Sequence, residues 1–256
     1  MDRIYHGDAM DFMKRSGGDF ADVILTSPPY NTSRPGHSDR FNKRYDSFVD
    51  GLADDDYIGW TVDLFRQFDR VLKPDGVVLY NLSYSSENTT LMFLTVAEIA
   101  RRSGFTIADV IVWKKKSAIP NNRSPNKLTR ICEFVFVFCR ESEFRTFRSN
   151  KAVISLSKKG QKNYENVPNF IEARNNDGPT PLNKATFSTE FAEKLLRIYA
   201  PPGGTVFDPF MGTGTTAVAA MKLGLDAIGC ELSRAQVDYA NERIAQYSEQ
   251  GVIHFE

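Results

Sequence analysis

The chain holds 256 residues, 41% of them hydrophobic and 25% charged, enough to bury one sizeable core, so one globular unit is expected. No run approaches the roughly 18–20 uninterrupted apolar residues of a membrane span, and Met1-Asp2-Arg3-Ile4-Tyr5-His6 lacks the apolar core of a signal peptide; a cytoplasmic protein without a membrane partner is expected. Basic and acidic residues balance at 32 each, yet residues 113–162 carry 13 Lys and Arg against Glu133, Glu141 and Glu143, while 14 Asp outnumber ten basic residues in the first 75, which predicts a local basic surface. Cys132, Cys139 and Cys230 are an odd number without metal-ligand spacing and read as reduced structural thiols. His6, His37 and His254 form no HExxH-type pair, so no metal is expected.

In chain order, hydrophobic periodicity predicts a strand at 23–26, a helix at 55–72, a strand at 76–82, a helix at 87–103, and strands at 107–113 and 133–138. A helix at 189–200, a strand at 205–207, a helix at 213–223, a strand at 227–231 and a helix at 233–247 follow. The alternation predicts an α/β fold with a largely parallel sheet covered on both faces. Residues 31–50 and 121–181 resist the pattern and read as long loops, with a boundary expected near 141 and near 185.

The first strand runs into Thr26-Ser27-Pro28-Pro29-Tyr30. Two prolines fix the backbone and remove two donors, leaving carbonyl oxygens aimed in set directions. Such a turn is suited to accepting hydrogen bonds. An exocyclic base amine is a poor nucleophile because its lone pair is delocalised into the ring; acceptance of its N–H groups by Ser27 and the Pro28 carbonyl would localise that pair toward a donor. Tyr30 offers a face on which an extruded base could stack.

The strand at 205–207 enters a helix through Asp208-Pro209-Phe210-Met211-Gly212-Thr213-Gly214, and about 20 residues later a second strand ends on Glu231. Glycines permit close backbone approach to a ligand, the helix start supplies free N–H groups, and the acid has the position that grips ribose hydroxyls. The spacing is not GxGxxG, and Asp208 would repel a pyrophosphate. A cationic end, such as the sulfonium and amino group of S-adenosylmethionine, suits an acidic first turn better. A turn in which Asp208 serves only to cap the helix remains the structural alternative.

These two motifs, with Ala217-Val218-Ala219-Ala220, Gly229-Cys230-Glu231 and Ala240-Asn241-Glu242-Arg243, resemble the amino-group DNA methyltransferases of restriction–modification systems. The catalytic motif precedes the cofactor turn by about 180 residues, which resembles the permuted β class. The resemblance implies a Rossmann-like, seven-stranded methyltransferase sheet with one reversed strand, helices on both faces and circularly permuted motif order. It places the catalytic methyltransferase domain at 1–140 and 183–256 and an inserted target-recognition region at 141–182.

The resemblance also implies Ser27, Pro28, Pro29 and Tyr30 as catalytic residues, and S-adenosylmethionine held by Asp8, Ala9, Phe187, Asp208, Pro209, Phe210, Gly212, Thr213, Gly214, Glu231 and Leu232. Asp8 reads equally as the N-cap of a helix over 9–14. The strand at 133–138 reads as mostly core, and Trp113 as core. Double-stranded DNA is the implied partner, with phosphate contacts assigned to Arg34, Arg40, Lys43, Arg44, Lys114, Lys115, Lys116, Arg123, Lys127 and Arg130. A homodimer and a cognate restriction enzyme are compatible with the family. Ser27 points to cytosine N4; adenine N6 is the alternative, and an inactive DNA-binding regulator the remote one.

Overall fold

The computed structural model describes residues 3–31, 51–84, 88–117, 125–178, 182 and 186–250. The chain opens with β1 (Arg3–His6) and α1 (Ala9–Arg15), whose N-cap Asp8 accepts from Asp11 N at 3.0 Å. β2 (Ala21–Thr26) is buried almost throughout. α2 (Asp54–Val71) starts on three aspartates, which favour the positive end of a helix dipole, and buries Tyr57, Ile58, Thr61, Leu64, Phe65 and Phe68 at helical spacing. β3 (Leu72–Leu82), α3 (Thr89–Arg102), β4 (Phe105–Lys115) and β5 (Cys132–Arg140) follow, then a short 3-10 turn and an exposed hairpin of β6 (Val153–Leu156) and β7 (Lys162–Tyr164). The remainder is β8 (Phe170–Ala173), α4 (Thr189–Tyr199), β9 (Thr205–Asp208), α5 (Thr215–Lys222), β10 (Asp226–Glu231) and α6 (Arg234–Gln250).

The main sheet runs β1-β10-β9-β2-β3-β5-β4-β8. All neighbours are parallel except β5, which is antiparallel to both β3 and β4. This is the expected pattern with one reversed strand, extended at its edge by an eighth strand, β8, from the segment expected to form an insert. Hydrophobic periodicity does not mark β1, α1, β6, β7 or β8, and α1 enters the sequence only through the N-cap alternative for Asp8. All are short, and the hairpin strands are exposed, so they carry little hydrophobic alternation.

Side chains alternate between two cores. Ile24, Val78, Tyr80, Phe136 and Phe138 face Met13, Phe65, Phe68, Met92 and Ile99 of α1, α2 and α3. Val23, Leu25, Val77, Leu79, Val135 and Val137 face Phe191, Leu195, Leu196, Ala217 and Ala220 of α4 and α5, and Ile244 of α6 packs on the same side. Trp113 is buried there and stacks on Phe191 at 4.1 Å, as the core reading requires.

β3 begins four residues before the predicted start. Its register jumps from Ala21↔Leu72 to Val23↔Val77, so Pro74 sits in an irregularity where no ladder donor is required. Arg140, at the end of β5, reaches the C-terminus of α2: its guanidinium donates to the carbonyls of Asp69 at 2.7 Å, Leu72 at 2.6 Å and Lys73 at 3.1 Å, and to the Asp69 carboxylate. The Asp69 carbonyl is one a helix end leaves without a partner, while Leu72 and Lys73 open β3. Arg140→Ala is expected to destabilise the fold by about 2–3 kcal/mol, read from urea unfolding. An unchanged midpoint would mean that water satisfies those carbonyls equally well.

Candidate active site

β1, β10, β9 and β2 are parallel neighbours, so their C-terminal ends lie along one edge, where open α/β sheets bind ligands. A cleft of about 990 Å³, part of it open to solvent, lies there. Asp8, Ala9, Phe187, Asp208, Pro209, Phe210, Gly212, Thr213, Glu231 and Leu232 line it, together with Ser27 and Pro29. Two sequence motifs far apart in the chain therefore share one cavity. Met10, Trp60, Thr186, Met211, Thr215 and Gln236 also line it; Trp60 packs against Phe210 at 5.9 Å. Nothing in the amphipathic pattern of α2 distinguishes Trp60 from a core residue. Among the described residues, the lining contains three carboxylates and no Lys, Arg or His.

Asp208 ties the cavity together. Its buried carboxylate accepts from Thr26 Oγ1 at 2.8 Å, Phe210 N at 3.0 Å and Thr216 Oγ1 at 2.6 Å. Burial pushes its pKa up to about 6, against the opposing effect of those hydrogen bonds, with the nearby Glu231 charge adding to the rise. Glu231 is held by Gly212 N and Ser233 N, each at 2.9 Å, which fixes its carboxylate at the wall. Gly7 N bonds to the Glu231 carbonyl and so carries Asp8 to the same wall.

Gly214 stands behind the wall. It caps α5 with φ +82°, and a Cβ there would lie 2.8 Å from Ala240 Cβ, so this glycine admits α6 against the turn. Arg243 of α6 completes the turn's support, donating to Thr213 O at 2.8 Å and to Asp177 Oδ2 at 3.1 Å. The sequence marked Arg243 only as part of a resemblance.

At the other motif, Pro29 O accepts from Tyr57 Oη at 2.8 Å. Pro28 is buried, and Tyr30 borders a second, smaller cleft with Tyr57 and Tyr84. The Tyr30 hydroxyl is anchored rather than free: it lies 2.7 Å from Ser27 Oγ, accepts from Asn81 Nδ2 at 2.7 Å and sits 3.5 Å from Glu133 Oε2. Asn81 also donates to Glu133 Oε2 at 3.0 Å, and Lys115 pairs with the other Glu133 oxygen. Hydrophobic periodicity marks Asn81 and Glu133 only as strand residues.

The basic segment is less free than its composition suggests. Lys114 pairs with Glu172 at 3.0 Å, Lys115 with Glu133, and Lys116 with Glu190 at 2.9 Å. The Lys116 hydrogen bond leads the effects that hold the Glu190 carboxyl down at about 2. Arg130 donates to the Tyr84 carbonyl and stacks over its ring at 5.4 Å. Lys127 is in the described structure, whereas Arg34, Arg40, Lys43, Arg44 and Arg123 lie outside the described residues.

A family profile for N6/N4 enzymes, described as DNA methylase, matches residues 21–242. The chain belongs to this DNA methylase family. Over 94% of its length it is 25% identical to the type II methyltransferase M.BglII of Bacillus subtilis, covering 68% of that protein. It is 27% identical to M.SmaI of Serratia marcescens, with 94% and 90% covered, and 22% identical to the DNA adenine methyltransferase YhdJ of Escherichia coli K12, with 94% and 82% covered. The fold resembles that of the cytosine-N4-specific PvuII DNA methyltransferase, with TM-score 0.72, 17% identity, and 97% and 92% covered. It also resembles TTHA0409 of Thermus thermophilus in complex with S-adenosylmethionine, with TM-score 0.64, 22% identity, and 100% and 96% covered.

The raised Asp208 pKa makes a signed prediction for the methylase. Between the unfolded value of 3.8 and about 6 the native state holds this proton more tightly, so the Asp208 contribution to stability falls as pH rises through that window and levels off above it. Asp208→Asn keeps acceptors for Thr26 and Phe210 but cannot ionise. Its stability relative to the parent is expected to climb by roughly 2–3 kcal/mol from pH 4 to pH 6 and then stay flat. Urea unfolding across that range, without added cofactor, measures it; a pH-independent difference would refute the assignment.

Proposed function

We propose that this methylase transfers a methyl group from S-adenosylmethionine to the exocyclic N4 of a cytosine extruded from double-stranded DNA. The observation carrying this reading is that Ser27 opens into the same acidic cleft as the turn at 208–214, with the Thr26–Asp208 hydrogen bond joining the two. Three carboxylates and no cation in the described lining fit a ligand with a sulfonium and an ammonium group. When bound, S-adenosylmethionine supplies a methyl group activated by its positive sulfur.

The protein's own groups hold and orient. In this reading Glu231, held by two backbone N–H groups, would accept from ribose hydroxyls and Asp8 from the adenine amino group, while Trp60, Phe187 and Phe210 supply apolar wall. Ser27 Oγ and the Pro28 carbonyl accept from the target amine and turn its lone pair toward the donor. The Pro29 carbonyl is already committed to Tyr57, which leaves this task to Pro28. Base extrusion is required because the amine otherwise lies inside the duplex.

Cytosine is supported by serine at position 27, where family members acting on adenine generally carry Asp or Asn, and by the fold shared with the cytosine-N4-specific PvuII enzyme. Adenine N6 is the second reading, since a hydroxyl accepts from either amine and YhdJ is a DNA adenine methyltransferase. The type II relatives support a role beside a restriction enzyme, and Arg34, Arg40, Lys43, Arg44, Arg123 and Lys127 are the proposed contacts to DNA phosphates.

Expression in a bacterial host without DNA methylation, followed by mass spectrometry of hydrolysed nucleosides, is expected to show N4-methylcytosine. Finding 6-methyladenine alone would overturn the choice of base. Ser27→Ala is expected to lose at least about 100-fold in labelled methyl transfer while calorimetry shows cofactor binding intact. An unaffected rate would remove Ser27 from the chemistry.

A further inference from the structure

Three neighbouring strands of the sheet change character at the same edge. On the face packed by α4 and α5, β3 presents Val77, Leu79 and then Asn81; β4 presents Ile111, Trp113 and then Lys115; β5, running the other way, presents Val137, Val135 and then Glu133. A period-two apolar series thus ends in a polar residue three times over, and the three polar groups meet. Glu133 lies opposite Trp113, so Lys115 is its diagonal cross-strand neighbour. Its side chain is 13% exposed and that of Lys115 25%, so the pair is largely withdrawn from water. Such a pair seldom adds net stability over an apolar one.

The hydrogen bonds from this cluster lead to the catalytic turn and have a direction. Asn81 Nδ2 donates to Glu133 Oε2 at 3.0 Å and to Tyr30 Oη at 2.7 Å. The reversed amide would aim its oxygen at a carboxylate. The orientation adopted instead leaves Asn81 Oδ1 buried without a hydrogen-bond partner among the described residues, which is a cost the carboxylate imposes. Tyr30 Oη accepts from Asn81, and Glu133 Oε2, 3.5 Å away, attracts its hydrogen. Ser27 Oγ lies 2.7 Å from Tyr30 Oη and either hydroxyl can donate; with the Tyr30 hydrogen drawn to Glu133, the remaining Tyr30 lone pair accepts from Ser27. With its own hydrogen so committed, Ser27 has both lone pairs available.

We propose that Glu133 is a positioning residue which, through Asn81 and Tyr30, holds the Ser27 hydroxyl as a hydrogen-bond acceptor toward the target amine. The inference rests on the methyl-transfer reading above and extends it to a strand read from sequence as core. Lys115 serves this cluster by neutralising Glu133, in place of the phosphate contact its composition suggested. Without the carboxylate, Asn81 can turn over, Tyr30 can donate to Ser27, and one Ser27 lone pair is taken from the substrate.

The test is a cycle of Glu133→Gln, Tyr30→Phe and the double variant in the full chain. Tritiated methyl transfer to unmethylated genomic DNA is measured, with cofactor affinity by calorimetry. Each single change is expected to lower kcat by about 10- to 100-fold, the scale of losing a group that orients a reacting one, with KM for DNA and cofactor affinity within about twofold of the parent. The double variant is expected to be no slower than the slower single one, because both cut the same chain. Losses that multiply, an unchanged kcat in Tyr30→Phe, or cofactor affinity falling in step with kcat would each overturn the proposal. Failure of the methyl-transfer reading looks different: the parent protein would transfer no methyl group, leaving no amine to orient and overturning both.

Discussion

The Asp208 carboxylate accepts from Thr26 at the end of β2, from Thr216 in the first turn of α5 and from the backbone of its own turn, so these three elements cannot shift independently. β2 and β9 pair directly only through Val23↔Val206 and Ile24↔Phe207, and the Thr26 hydrogen bond carries that alignment up to the cleft. It fixes the distance between the Ser27–Tyr30 turn and the glycine turn, whose anchoring residues are 182 positions apart. Keeping a carboxylate here has an energetic penalty, visible in the raised pKa; three donors reduce the penalty without cancelling it. Above about pH 6 the group is an anion at the base of an already acidic cavity.

The same geometry explains why the order of the motifs along the chain is immaterial to the chemistry. In a parallel sheet every strand delivers its C-terminal loop to one edge. β1, β10, β9 and β2 do so side by side, contributing Asp8, Glu231, the glycine turn and Ser27 in spatial sequence. Only adjacency in the sheet matters. A chain that reaches β2 before β9 builds the same cavity as one that visits them in reverse.

Much of this was legible beforehand, for identifiable reasons. Buried parallel strands and long amphipathic helices repeat their periods often enough to be counted, and both motifs consist of residues, proline and glycine, whose backbone consequences are local. Gly214 shows the limit. Its glycine character was visible, yet the close packing against Ala240 that requires it was not, because nothing near it in sequence names Ala240. Trp60 and Gln236 line the cleft from helices whose patterns are those of ordinary amphipathic helices. Asp8 is both an N-cap and a wall residue, so the two readings of it were not exclusive.

The pairing within the basic segment was hidden for a related reason: a charge count along the chain sees only neighbours in sequence. The partners of Lys114 and Lys116 are Glu172 and Glu190, both beyond residue 162, and one arrives on the edge strand β8. The partner of Lys115 is inside the window but on the adjacent strand, where Glu133 interrupts an otherwise apolar run. A charge placed at the end of an alternating apolar series is costly unless it is paired, so its presence in β5 already signalled a partner on a neighbouring strand. Alignment of β3, β5 and β4 by their apolar alternation brings Asn81, Glu133 and Lys115 to one edge, beside the turn that carries Ser27. Polar residues that terminate apolar strands at the ligand-binding edge therefore belong with the site they adjoin and not with the core they cap.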